Sequence, residues 1–204
     1  MSSKVYAVKK GRRPGIYNSW DDCKKQVNGY SGAEFKSFKS LEDAEEYLGI
    51  NSVMTGEVEP DMSVITENDT AVAYVDGSYN VKTGIYGCGV VIFSNGSSHQ
   101  YSHAFCDELA SMRNVAGEIA GAAYAMDYCV HSGIKNLKIY YDYEGIEKWC
   151  TGEWMANKEG TRAYKKLYNE ASKTVKISFH KVKGHSGDKY NDLADSLAKQ
   201  AVGI

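Results

Sequence analysis

Four carboxylates and one histidine occupy positions where their chemistry could matter. Asp76 follows the apolar run Ala71-Val72-Ala73-Tyr74-Val75 and precedes Gly77. A charge beside a buried strand is costly unless it is paired or bound to metal; taken alone, Asp76 also reads as a turn residue. Glu118 is the only charge between Arg113 and Asp127, in a stretch of Ala and Gly that would let a helix approach a sheet closely. A solvated helix face is the other reading. Asp142 ends the strand-like Ile139-Tyr140-Tyr141, and the carboxyl ends of strands are where sites form in open α/β sheets. Asp195 stands one step off the apolar stripe Leu193, Leu197 and Ala201, so it can reach the edge of a cleft or simply face water. His185 lies between Gly184 and Gly187, as a turn residue or as a proton shuttle with a pKa near working pH.

Each residue alone has a plain structural reading, but the set has a chemical one. Carboxylates gathered in one place repel unless a divalent cation neutralises them, and hard oxygen ligands favour Mg²⁺ or Mn²⁺. A pair of such ions can activate water and stabilise the leaving oxygen in phosphodiester hydrolysis.

The elements that must position these groups follow from periodicity and punctuation. Ala71–Val75, Tyr86–Phe93 and Ser98–Phe105 read as strands, the last two joined by a hairpin at Ser94-Asn95-Gly96. A helix over Asn114–Val130 ends at Gly133, and Leu137–Tyr141 is a fourth strand. Helices over Gly145–Trp149 and Thr161–Lys173, a strand over Val175–Lys181 and a helix over Tyr190–Val202 complete the pattern. Three meandering strands followed by alternating helix and strand predict a mixed five-stranded α/β sheet flanked by helices.

The first 49 residues are a separate small α+β unit. Strands are expected at Lys4–Val8, Gly15–Asn18 and Glu34–Phe38, with a helix capped by Ser19 running to Val27 and another opening at Ser40-x-x-Asp43 and running to Leu48. Residues 50–69 lack periodicity and read as an acidic linker before the larger domain at 70–204.

Charge follows the same division. Residues 1–40 hold nine Lys/Arg against three acids, whereas residues 50–69 hold five acids and no base, although the whole chain is only −2. A basic head suits a polyanionic partner. The opening residues lack an apolar signal core, and no stretch approaches the ~18 apolar residues of a membrane helix. Five cysteines, none in a CxxC pair, fit reduced thiols in the cytoplasm better than a disulfide frame. No membrane association and no obligate protein partner are expected.

Val-Asp-Gly-Ser at 75–78, Arg-Asn-x-x-x-Glu at 113–118, Tyr-Asp at 141–142 and Lys-Gly-His-Ser-Gly…Ala-Asp-x-Leu-Ala at 183–198 together resemble the ribonuclease H type 1 catalytic domain, over residues from about 70 to 202. The resemblance implies metal binding by Asp76, Glu118, Asp142 and Asp195, product release or proton transfer by His185, and minor-groove reading by Asn114. It implies hydrolysis of the RNA strand of RNA–DNA hybrids to 5′-phosphomonoesters. Position 115, often polar in the family, is Val here, and the chain between Asp142 and His185 is too short for the family's basic protrusion.

Residues 4–38 resemble the hybrid-binding, viroplasmin-like domain. Tyr6, Trp20, Phe35 and Lys36 match positions that touch the DNA sugar–phosphate strand in that family, while Ser37 stands where a second Lys is common. Double-stranded RNA is a second ligand class this domain implies. Two rival functions remain: a catalytically weak protein that binds hybrids or double-stranded RNA, and a nuclease of the same superfold acting on DNA.

Overall fold

A computed structural model describes residues 4–12, 15–17, 19–48, 69–184 and 187–204. Most of the expected linker, at 50–68, and His185 lie outside the described residues.

In the N-terminal domain β1 (Val5–Lys10), β2 (Gly15–Tyr17) and β3 (Glu34–Phe38) form an antiparallel sheet in the order β2-β1-β3. Helix α1 (Trp20–Val27) starts where Ser19 Oγ accepts a hydrogen bond from the Asp22 amide at 3.1 Å, a cap worth about 1 kcal/mol. Helix α2 (Leu41–Leu48) starts in the same way, with the Asp43 amide donating to Ser40 Oγ at 3.2 Å. Val8 of β1 packs against Cys23 and Val27 of α1 to form a small core between the sheet and the helix. Arg12 donates to the backbone oxygens of Asn28 at 2.6 Å and Lys25 at 3.3 Å, so this member of the basic set ties down the end of α1.

The larger domain is a five-stranded mixed sheet in the order β6-β5-β4-β7-β8. Strands β4 (Thr70–Asn80), β5 (Ile85–Ser94) and β6 (Ser97–Phe105) make an antiparallel meander, while β7 (Asn136–Tyr141) and β8 (Lys176–Lys181) add in parallel. Asn95 and Gly96 both have positive φ, 49° and 74°, as a two-residue turn with the hairpin's own twist requires.

Alternation along β4 divides the core. Ala71, Ala73 and Val75 face α3 (Asn114–Ser132), α4 (Gly145–Thr151) and α5 (Glu159–Ala171). Val72 and Tyr74 face α6 (Lys189–Val202), where Tyr190, Ala194 and Leu197 pack. A short 3₁₀ turn at Glu108–Met112, not foreseen from the sequence, leads into α3.

One expectation needs correction. Asp76 does not end its strand: β4 continues to Asn80, because the antiparallel ladder with β5 runs through Asp76↔Gly89 to Asn80↔Ile85. What stops near Asp76 is the parallel ladder with β7, whose last pair is Tyr74↔Tyr140. The sheet opens between those strands while β4 stays paired on its other side.

Candidate active site

Asp76 and Asp142 each lie two residues beyond that last parallel pair, where the strand order reverses: the chain runs from β4 out to β5 and β6, then returns through α3 to β7 on the other side of β4. Such a reversal leaves a crevice at the carboxyl ends of adjacent strands.

Helix α3 enters this crevice through missing side chains. A Cβ on Gly77 would lie 2.3 Å from both the Asn114 carbonyl oxygen and the Glu118 amide nitrogen. A Cβ on Gly117 would lie 2.1 Å from the Gly87 oxygen. Backbone therefore meets backbone, and Glu118, the residue after Gly117, is set beside Asp76. On the opposite face α6 does the same: a Cβ on Gly89 would lie 2.0 Å from the Ala194 oxygen. Asp195 follows Ala194, so the turn that carries it is pressed onto the strand partner of Asp76.

The result is a three-carboxylate cluster. Oxygens of Asp76, Glu118 and Asp142 all lie within 4.8 Å of one another. Asp76 is 8% and Glu118 2% exposed. Burial and the neighbouring Asp142 charge push the Asp76 carboxyl up to about 6, against the pull of the Gly77 amide, which donates to Asp76 Oδ1 at 2.6 Å. Burial, then the charges of Asp76 and Asp142, hold Glu118 well above the ordinary carboxylate range.

A divalent cation fits this donor set. All ligands are hard carboxylate oxygens, and Glu118 Oε2 is buried with no hydrogen-bond partner. An orphaned buried acceptor among like charges is costly, and a cation reverses both penalties.

Asp195 stands outside the three-residue cluster. It is held by Lys199, whose Nζ is 2.6 Å from Asp195 Oδ2, yet its charge also reaches Asp76. Lys199 was not singled out from the sequence, although its spacing of four residues on a helix is the pattern of a surface ion pair. Gly184 was missed too: a Cβ there would lie 2.5 Å from Asp142 Oδ2, so the backbone at Gly184 lies against this carboxylate.

Asn114 is exposed at the start of α3. It lines a groove of about 330 Å³ together with Tyr143, Trp149, Met155 and Lys158. In the N-terminal domain Trp20 lies between Tyr6 and Phe35, with ring centroids 5.7 and 5.8 Å away, and both Trp20 and Phe35 are 42% exposed. Tyr6 is half-buried against the small core. Lys36, adjacent to Phe35 on a strand, projects from the other face, where its Nζ lies 5.3 Å from the Phe38 ring centroid. The structure thus gathers three of the four expected head contacts into one patch and separates the fourth.

Residues 4–48 match the model of the Ribonuclease H1 N-terminal domain, and residues 68–203 match that of RNase H. Ribonuclease H of Saccharomyces cerevisiae is 59% identical over 44 residues, a stretch covering 22% of this chain and 13% of that protein. Ribonuclease H of Schizosaccharomyces pombe is 26% identical over alignments covering 97% of this chain and 96% of that protein. Among solved structures, RNase H1 from Halobacterium salinarum superposes with a TM-score of 0.55 at 21% identity, covering 66% of this chain and 98% of that one. LC11-RNase H1, solved in complex with an RNA/DNA hybrid, gives 0.52 at 16% identity, over 65% of this chain and 99% of that one. With the carboxylate crevice in the larger domain and a Ribonuclease H1 N-terminal domain ahead of it, the chain belongs to the RNase H family.

Proposed function

We propose that this enzyme is an endoribonuclease that hydrolyses the RNA strand of RNA–DNA hybrids and leaves 5′-phosphomonoesters. The observation that carries the reading is the cluster of Asp76, Glu118 and Asp142 at the sheet's switch point, with Glu118 Oε2 buried and unpartnered. Asp195, one helix turn from Lys199, completes the set of residues assigned to Mg²⁺, with Mn²⁺ as a substitute. Two such ions, when bound, supply a nucleophilic water and stabilise the oxygen that leaves.

The chain's own groups supply position and protons. Glu118 and Asp76 are fixed by backbone contact, so their oxygens need little reorganisation. Water oxygen bonds to phosphorus, the bond from phosphorus to the 3′ oxygen breaks, and that oxygen takes up a proton. His185, next in sequence to Gly184, is assigned to proton transfer or product release. Asn114 is assigned to the minor groove beside the cut.

The N-terminal domain, residues 1–49, is assigned to holding the hybrid through Trp20, Phe35 and Tyr6 on the DNA sugars and Lys36 on phosphate, with double-stranded RNA as a second ligand. Residues 50–69 are the tether and residues 70–204 the nuclease. Cytoplasmic residence is supported by the buried thiols of Cys23, Cys88, Cys129 and Cys150. Among the described residues no helix is long and apolar enough to cross a membrane.

The test is cleavage of end-labelled RNA–DNA, RNA–RNA and DNA–DNA duplexes with Mg²⁺. Cutting confined to the RNA of the hybrid is expected. Binding without cutting would overturn the catalytic reading, and cutting of DNA duplexes would point to the DNA-directed alternative.

A further inference from the structure

The groove beside the active site does not end at Lys158. Met155 and Asn157 belong both to it and to a second groove of about 450 Å³, lined further by Arg162, Lys165 and Lys166 on α5. Lys158, Arg162 and Lys166 are spaced four residues apart and form a stripe along one helix face, with Lys165 beside it. Lys158, Arg162 and Lys166 are exposed.

Among the described residues, no carboxylate forms an ion pair with any of these four cations. Glu170, at the far end of the groove, feels Lys166 but is held by Lys173 at 2.5 Å. Arg162 also donates to the Asn157 backbone oxygen, which fixes the loop between the two grooves.

Apolar surface lies alongside the charge. Met155 is 79% exposed and Trp154 37%, and Trp154 is pinned by its amide, which donates to the Lys148 oxygen at 2.9 Å. Four cations with no ion pair among the described residues, beside the exposed Met155 that lines both grooves, form a surface suited to a sugar–phosphate chain: the cations match phosphates, and the apolar group matches sugars.

We propose that this α5 ridge binds the phosphodiester backbone of the hybrid outside the cutting site, so that the duplex runs from the carboxylates past Asn114 and Lys158 to Lys166. The inference rests on the hybrid-cutting reading for its ligand, but it makes a claim about binding alone. It gives the larger domain a phosphate track of its own, separate from the basic head.

The test uses the full chain carrying Lys158→Gln, Lys165→Gln and Lys166→Gln together; Gln keeps helix propensity, and Arg162 is left to hold its loop. Binding to a labelled hybrid of about 20 base pairs is measured in EDTA over a salt series, where each lost phosphate contact lowers the slope of log K against log salt by about 0.9, whatever the head contributes. The slope should fall in magnitude by about 2–3 and affinity at low salt by tenfold or more. With Mg²⁺ the KM should rise while kcat stays within about twofold, since the lost contacts are uniform binding. The same three positions changed to Arg should restore the slope. If the triple variant fails to fold, Lys166→Gln alone should lower the slope by about 0.9. A slope unchanged within about half a unit, or a wild-type chain that does not bind hybrid, overturns the ridge. A wild-type chain that binds hybrid but does not cut it overturns only the catalytic reading, and the slope still decides the ridge.

Discussion

The two domains present their polar and aromatic groups in opposite ways. In the larger domain two of the carboxylates assigned to metal binding, Asp76 and Glu118, are buried, and glycine brings backbone against backbone around them: Gly77 and Gly117 on one face, Gly89 on the other. In the N-terminal domain the groups assigned to binding stand out from a three-stranded sheet, with Trp20 and Phe35 each 42% exposed over a small core that includes Val8, Cys23 and Val27. Catalysis needs oxygens held to within a fraction of an ångström, so it is built where nothing can move. Binding a flexible polyanion needs surface and charge, which a small, loosely supported sheet can present.

The comparison breaks most sharply at the carboxylates. Asp142→Asn should lower hybrid cleavage by about a thousand-fold or more, ~4 kcal/mol in the barrier, while leaving hybrid affinity within a few-fold. Turnover with Mg²⁺ and a gel shift in EDTA separate the two; unchanged turnover would remove Asp142 from the site.

Gly117→Ala tests whether backbone contact is the holding device. A methyl 2.1 Å from the Gly87 oxygen must push α3 off the sheet. Loss of roughly 3 kcal/mol in denaturant unfolding is expected, together with most of the activity, because Glu118 moves with the helix. A stable, active variant would mean that the helix is held elsewhere.

His185→Ala should slow turnover by roughly ten- to a thousand-fold without abolishing it, since a proton shuttle assists the carboxylates and does not replace them. Full activity would leave His185 a turn residue, and complete loss would make it a ligand.

A milder probe is pH. Burial, then the Asp142 charge, raises the folded Asp76 carboxyl to about 6, above the ordinary carboxylate range. A group raised on folding contributes stability that is fully present below its unfolded pKa and lost as pH rises through its folded one. The metal-free protein should therefore lose up to about 3 kcal/mol between pH 4 and pH 7 from this residue. Thermal unfolding in EDTA at several pH values measures it. Asp76→Asn should flatten the curve, and Mg²⁺ should oppose the loss. A curve identical in wild type and variant would contradict the assignment.

The smallest effect belongs to the head. Trp20→Ala should raise the KM for hybrid by several-fold, about 1 kcal/mol, with kcat unchanged. A fall in kcat instead would mean that the head helps form the active site, and the two-domain contrast would fail.

Sequence patterns made the elements legible because their signals are local. Ser19 caps α1, and Asn95-Gly96 turns the hairpin, as those residues imply. Three of the four carboxylates singled out by their motifs, Asp76, Glu118 and Asp142, come together in the fold, while Asp195 stands outside that group. What escaped depends on distant chain segments. The extension of β4 past Asp76 reflects its pairing with β5, and the role of Gly89 appears only once α6 lies across it. Gly184 looked like loop chemistry until the fold set it against Asp142. The separation of Lys36 from Phe35 follows from strand alternation, which motif matching alone does not weigh.

The glycine contacts also bear on how this sequence can change over time. Where two backbones touch, the spacing between layers is set by atoms common to every amino acid, so drift in the volume of Val72, Ile92 or Met126 has little leverage on the distance between Asp76 and Glu118. Tolerance is unevenly distributed as a result. Much of the core can vary in size without retuning the spacing of the carboxylates, while Gly77, Gly89 and Gly117 admit a side chain only if the layers move apart, and a survey of functional variants should find its sharpest intolerance at residues with no side chain to lose.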